Sequence, residues 1–198
     1  MAALRPELGQ AELEAIGFGH GFTMRWYRGV RTTRARIDSW YPPANSDVGR
    51  VKLKSQPICV SFAADPHTAA EEKANALLRS QSPIGGLLAE MGGLLTPAAI
   101  TVGSVELTIP GGSCLVVMPH DPYLATYLDP VNVAAGHPVA RLAAARGLAW
   151  ILLPSAVAFA KPTSPIVYDL HVLVGLVGQP DLSDLPHPTH FEDELLYP

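Results

Sequence analysis

The stretch Leu148–Gly178, LAWILLPSAVAFAKPTSPIVYDLHVLVGLVG, decides how the rest of the chain is read. It holds two apolar runs joined by AKPTSP, whose prolines cannot donate to a sheet ladder and whose polar residues favour turns. From Ile166 the even positions Ile166, Tyr168, Leu170, Val172, Val174 and Leu176 are all apolar or aromatic, while the odd ones include Asp169, His171 and Gly175. Period two with β-branched enrichment predicts a long strand, one face fully buried and the other partly so. The two runs are therefore expected to close the chain as an antiparallel pair of strands.

At 198 residues the chain is expected to form one domain with a real core. Charged residues make up 16% of it, against a usual ~25%. So little charge predicts that much of the surface is covered by other copies or partners, because interface cores are depleted in charge. A coding bias toward Ala, Leu, Gly and Pro would produce the same composition. The 19 prolines are spread along the chain as punctuation between short elements.

The net charge of −4 is polarised. Arg25, Arg28, Arg31, Arg34, Arg36, Arg50, Lys52 and Lys54 crowd residues 25–54, whereas Lys161 is followed by acids and no further Lys or Arg. This suits head-to-tail contacts between copies, or a polyanion on one side. Cys59 and Cys114 lie in apolar runs without a pairing pattern and are expected to be buried thiols of a reducing compartment. The uncharged runs Leu148–Ala160 and Leu170–Gly178 are too short to span a membrane, so a soluble intracellular chain is expected.

Taken in order, Pro6–Ile16 predicts a short helix, followed by the connector GFGHGF at residues 17–22. Those glycines precede a strand, and phosphate-cradling loops have the opposite order. Thr23–Tyr41 reads as β structure, and its arginines interleaved with aromatics are candidates for RNA contact at Arg25, Arg28, Arg31, Arg34 and Arg36. Gln56–Ala64 predicts a buried strand, and Asp65–Ser80 a helix with Thr68 as N-cap and Glu71 completing a capping box. Ser82–Pro97 predicts an apolar arm packed in an interface. Ala98–Ile109 alternates with a phase slip near Gly103, which a bulge there would explain. The PGGS turn after it should make a hairpin with Cys114–Met118, and Pro138–Leu148 should be helical. Six or seven strands with short connecting helices predict an all-β fold, an antiparallel β-sandwich of jelly-roll type. The expected organisation is a helix and Gly-rich connector over 1–22, a shell domain over 23–180 and an acidic tail over 181–198.

No catalytic motif is present. Asp169 and His171 share a strand face, and such a pair can orient a general base, but no nucleophile accompanies them, since neither Ser104 nor Ser113 lies in a G-x-S-x-G elbow. They are read first as a contact surface between subunits. His120, followed by Asp121 and Pro122, reads as turn chemistry. His187 and His190 have ligand-like spacing but lack further anchored partners, so neither metal nor cofactor is expected.

FTMRWYRGVRTTRARIDSWYPP leading into PICVSFAADP, together with the closing RGLAWILLPSAVAFAKPTSPIVYDLHVLVGLVG, resembles the coat proteins of small icosahedral plant RNA viruses of the tymovirus group. The resemblance implies an eight-stranded jelly roll, self-assembly in many copies into an icosahedral shell around viral RNA, no strongly basic arm, and residence in a virion assembled in host cytoplasm. The expectation is thus a structural, non-enzymatic capsid protein. A different class remains open beside it: a small β-sandwich enzyme or ligand-binding module using His120, Asp169 and His171.

Overall fold

The computed structural model describes residues 8–31, 40–41, 58–80, 98–129, 136–160, 166–174, 180–188 and 190–197. The expected RNA contacts Arg34 and Arg36 and the arm Ser82–Pro97 lie outside these residues. Helix α1 (Gln10–Gly17) leads into β1 (Phe22–Arg31); β2 (Ile58–Ala63) precedes helix α2 (Pro66–Ser80); β3 (Ala98–Ile109) and the short β4 (Cys114–Val116) follow. Then come α3 (Leu124–Tyr127), α4 (His137–Ala145), β5 (Trp150–Pro154), α5 (Ala156–Phe159), β6 (Tyr168–Val174), a 3-10 turn at Leu182–Asp184 and β7 (His190–Tyr197).

The strands form one sheet in the order β4-β5-β6-β2-β1-β3-β7, not two stacked sheets. Neighbours are antiparallel except β4 and β5, which are parallel. The jelly-roll expectation is therefore corrected to a mixed α/β fold with helices on both faces of a single sheet. The closing stretch contains the reason. β5 and β6 are antiparallel neighbours, but every residue of β6 is buried, on both faces. A strand buried on both faces needs a layer on each side, and here helices supply them. The first run also stops at Pro154, where α5 begins, and the expected tail over 181–198 contains β7.

Two local expectations change for related reasons. The turn at Pro110–Ser113 forms, with the Ser113 hydroxyl donating to the Pro110 carbonyl (2.6 Å) and Gly112 at φ 74°. It does not close a hairpin, because β1 and β7 occupy both edges of β3, and β4 pairs instead at the opposite edge of the sheet. The ladder irregularity falls between Ile100 and Val102 on the β7 side, not at Gly103. For α2, Asp65 replaces Thr68 as the cap: its carboxylate accepts from the Thr68 N–H (2.9 Å) and the Thr68 hydroxyl (3.0 Å).

The core has two sides. One face carries the largest cluster, with Met24, Trp26, Val60, Phe62, Leu107, Ile109, Leu152, Leu170 and Val172 beneath Leu13 and Ile16 of α1. The other face carries two separate clusters. Val117, Leu124, Val139, Ala140, Ala143, Ile151, Leu153 and Leu173 pack where α3 and α4 cover β5 and β6, and Ala63, Ala69, Ala70, Ala74, Ile100 and Val102 pack under α2.

The sheet is also nearly cut in two. β1 pairs with β3 along all of Phe22–Arg31, and β2 with β6 along all of Ile58–Ala63. Among the described residues β1 and β2 share one register pair, Tyr27 with Ala63. One half is thus β4-β5-β6-β2 and the other β1-β3-β7, and α2 crosses between them. It lies directly on β1, where a Cβ at Gly29 would be 2.6 Å from the Ala69 carbonyl oxygen and 3.0 Å from Lys73 Cβ, and it also touches β2 and α5 of the other half.

Candidate functional site

The two apolar clusters on the helix-covered face are parted by a polar seam. Strand register sets Ser61 of β2 beside His171 of β6, and Ala63 beside Asp169. Asp169 and His171 are 3% and 6% exposed, so they do not form a contact surface between subunits as expected from alternation. Period two identified their shared face correctly, but helices and not neighbours cover it.

At the end of the seam stands Ser155, wholly buried, immediately after β5 and at the N-cap of α5. Its hydroxyl donates to Glu72 Oε1 of α2 at 2.7 Å, while its backbone N–H donates to the Val167 carbonyl at 2.7 Å. A serine in this position ordinarily caps the helix, contributing about 1 kcal/mol, yet no side-chain cap bond forms here. The hydroxyl is directed to a carboxylate carried by a different element. A Ser–Glu pair of this kind can position a polar group or move a proton.

Arg28 fills the split from the opposite face. The residue is half-buried, and its guanidinium is enclosed. Its Nε donates to the Trp40 carbonyl at 2.8 Å and a terminal nitrogen to the Ser61 carbonyl at 2.6 Å, which ties the two half-sheets together. The cation also lies 5.8 Å from the Tyr41 ring centroid and 5.9 Å from that of Phe62, within cation–π range. Burial pushes its pKa down to about 10, against the pull of the Tyr41 hydroxyl and the Cys59 thiol. Neither opposing group is a carboxylate, and the guanidinium remains charged at neutral pH. Burial likewise pushes the Tyr41 phenol up to about 12, with Arg28 acting in the other direction, so the phenol stays protonated and donates to the Pro186 carbonyl at 2.6 Å.

The remaining candidates are scattered. Arg25 is exposed on β1, Arg28 directs its charge inward to two backbone carbonyls, and of Arg31 the backbone register alone is described. His120 is exposed in the turn after edge strand β4, away from the seam. Sequence reading missed Glu72, Ser155 and Tyr41. A signal for Ser155 existed: Pro154–Ser155 ends an apolar run just before AVAF, the position where a strand gives way to a capped helix. Glu72 had none, since a glutamate in a helical pattern is ordinarily solvated.

Fold and site together define a split-sheet α/β domain with an enclosed arginine in the split and a buried hydroxyl–carboxylate pair beside it. No family model matches the chain, and no curated protein matches it. It is similar to a chain in the crystal structure of the M. tuberculosis MbcT–MbcA toxin–antitoxin complex, with 11% identity, a TM-score of 0.47, and coverage of 96% of this chain and 93% of that one. The capsid expectation is corrected by the sheet itself. The jelly roll it required is absent from the described residues, whose strands form one mixed sheet. The virion and the icosahedral shell expected from that jelly roll are corrected with it.

Proposed function

We propose that this chain is a small-molecule enzyme whose ligand is held at the split between the half-sheets. The observation that carries the reading is Arg28: a half-buried guanidinium beside two aromatic rings, bonded to two backbone carbonyls, with no carboxylate, among the described residues, in the set of groups that act on its charge. Desolvating a cation is costly where no counter-charge faces it, as is the case among the described residues, and a ligand bearing an anionic or acceptor-rich group beside a planar ring relieves that cost while using the aromatic walls. Glu72 and Ser155 supply the group that can transfer or position a proton.

The test is a thermal-shift and calorimetric screen of phosphates, mononucleotides and aromatic carboxylates, followed by NMR detection of ligand conversion. A member of the panel should stabilise the wild type, and Arg28→Lys should lose that stabilisation because an ammonium cannot reproduce the planar, two-carbonyl geometry. Glu72→Gln should abolish conversion while leaving binding within about twofold. Binding without conversion by the wild type would reduce the reading to a ligand-binding module, and equal binding by Arg28→Lys would refute the site.

Association with another protein chain is part of the same proposal. It is supported by exposed Phe159 and Ile166, which flank the segment following Ser155, and by Phe18, 86% exposed beyond α1. Sedimentation of the purified chain alone and with candidate partners tests it.

A further inference from the structure

The chain between the 3-10 turn and β7 crosses directly over the Arg28 site. Leu185 is buried in the large core cluster, and Pro188 is buried against β3 and Trp40. A Cβ at Gly103 would lie 2.6 Å from both the Pro188 side chain and the Trp40 ring, so the absence of a side chain in β3 is what seats this strap. Between the two anchors Pro186 and His187 are exposed and rest on Tyr41. The Pro186 carbonyl accepts from the Tyr41 hydroxyl, and the His187 imidazole lies 5.5 Å from the Tyr41 ring at a 38° tilt.

From this geometry we propose that the strap Leu185–Pro188 is an autoinhibitory occupant of the ligand site, with His187 as the internal substitute for the planar part of the ligand. The inference rests on the reading of Arg28 and Tyr41 as a binding site. Tyr41 offers an aromatic face and one hydroxyl donor, and a ring-bearing, acceptor-rich ligand would use both. In this structure His187 takes the face and the Pro186 carbonyl takes the donor. The bridge is built to lift: Pro186 and Pro188 have no backbone N–H to surrender, and the residues between the anchors bury nothing of their own. Ligand entry exchanges one set of contacts at Tyr41 for another, so the strap lowers affinity without altering the site's chemistry.

The test uses 8-anilinonaphthalene-1-sulfonate, a planar anion, titrated by fluorescence into the full chain, its His187→Ala variant and Arg28→Lys in both backgrounds. His187 is exposed, so its variant should retain the wild-type circular dichroism and melting point. His187→Ala should bind the probe roughly two- to tenfold more tightly, the range that one displaced aromatic contact commands. Arg28→Lys should weaken binding in both backgrounds. Hydrogen exchange supplies a second measurement on the unmutated chain: the Leu185 and His187 amides should exchange faster with probe bound. Unchanged or weaker binding by His187→Ala, or slower strap exchange on binding, overturns autoinhibition while the Arg28 effect preserves the site. An Arg28→Lys chain that binds like wild type in both backgrounds refutes the underlying site as well.

Discussion

The pairing of Ser155 with Glu72 makes a quantitative prediction, because the two residues belong to elements that share no ladder. Ser155 is wholly buried, and its hydroxyl lies 2.7 Å from a carboxylate oxygen. A hydrogen bond to a charged group contributes about 1.5–3 kcal/mol. Ser155→Ala removes one oxygen and opens almost no cavity, so nearly all of its effect should come from this bond, about 2 kcal/mol. For a domain of this size that corresponds to roughly 4–8 °C in Tm. Glu72→Ala should cost less, about 1–2 kcal/mol, because Glu72 is half-buried and its removal leaves a neutral hydroxyl rather than a stranded charge. If the bond links α2 to the β5–α5 junction, the double variant should lose less than the sum of the single losses, with a coupling of about 1–2 kcal/mol from urea unfolding. Distant, independent sites add to within about 0.5 kcal/mol. Additivity of that quality would refute the reasoning, and with it the view that this pair closes the seam.

Gly29→Ala should destabilise the chain by about 1–3 kcal/mol by overpacking, because its Cβ would meet the Ala69 carbonyl, which is backbone and cannot rotate away; a melting point equal to wild type would contradict the packing of α2 on β1. Burial pushes the Tyr41 and Tyr168 phenols up from 10.0 to about 12, so ultraviolet titration should show at least two of the six tyrosines ionising near pH 12. Because the folded values lie above the unfolded ones, the stability held by the neutral phenols is complete below pH 10 and is lost as pH rises toward 12. The Cys114 thiol, pushed from 9.0 to about 12, adds to that loss, while Arg28, pushed down from 12.5 to about 10, acts in the opposite direction; three groups against one predict net alkaline destabilisation, readable as a falling Tm between about pH 9 and 12. At pH 8 iodoacetamide should alkylate half-buried Cys59 at least about tenfold faster than buried Cys114, since the thiolate is the nucleophile; equal rates would contradict the placement of Cys114.

Much of the local structure was legible in the sequence. Helices near residues 10–17, 66–80 and 137–145 and strands near 22–31, 58–63, 98–109, 150–154 and 168–174 follow from periodicity, turn residues and β-branching. The shared face of Asp169 and His171 was legible too. The site was much less so. Arg28 looked like one of several surface arginines, and nothing local distinguishes it from Arg25 on the same strand. They differ because odd and even positions of β1 face different layers, and the even one meets Tyr41, Phe62 and the carbonyls of Trp40 and Ser61.

By itself, the sequence determined that the chain would build short strands and helices around one apolar core, that β6 would carry an acid and a histidine on one face, and that β5 and β6 would pair. Those properties depend on residues close in the chain, where backbone geometry and side-chain period act directly. Tertiary structure alone decided that helices rather than a second sheet would cover the strands, that the PGGS turn would send β4 to the far edge, and that β1 and β2 would part around Arg28. Each of those outcomes depends on which edges and faces remain unoccupied once distant segments have docked, a competition that no local pattern encodes.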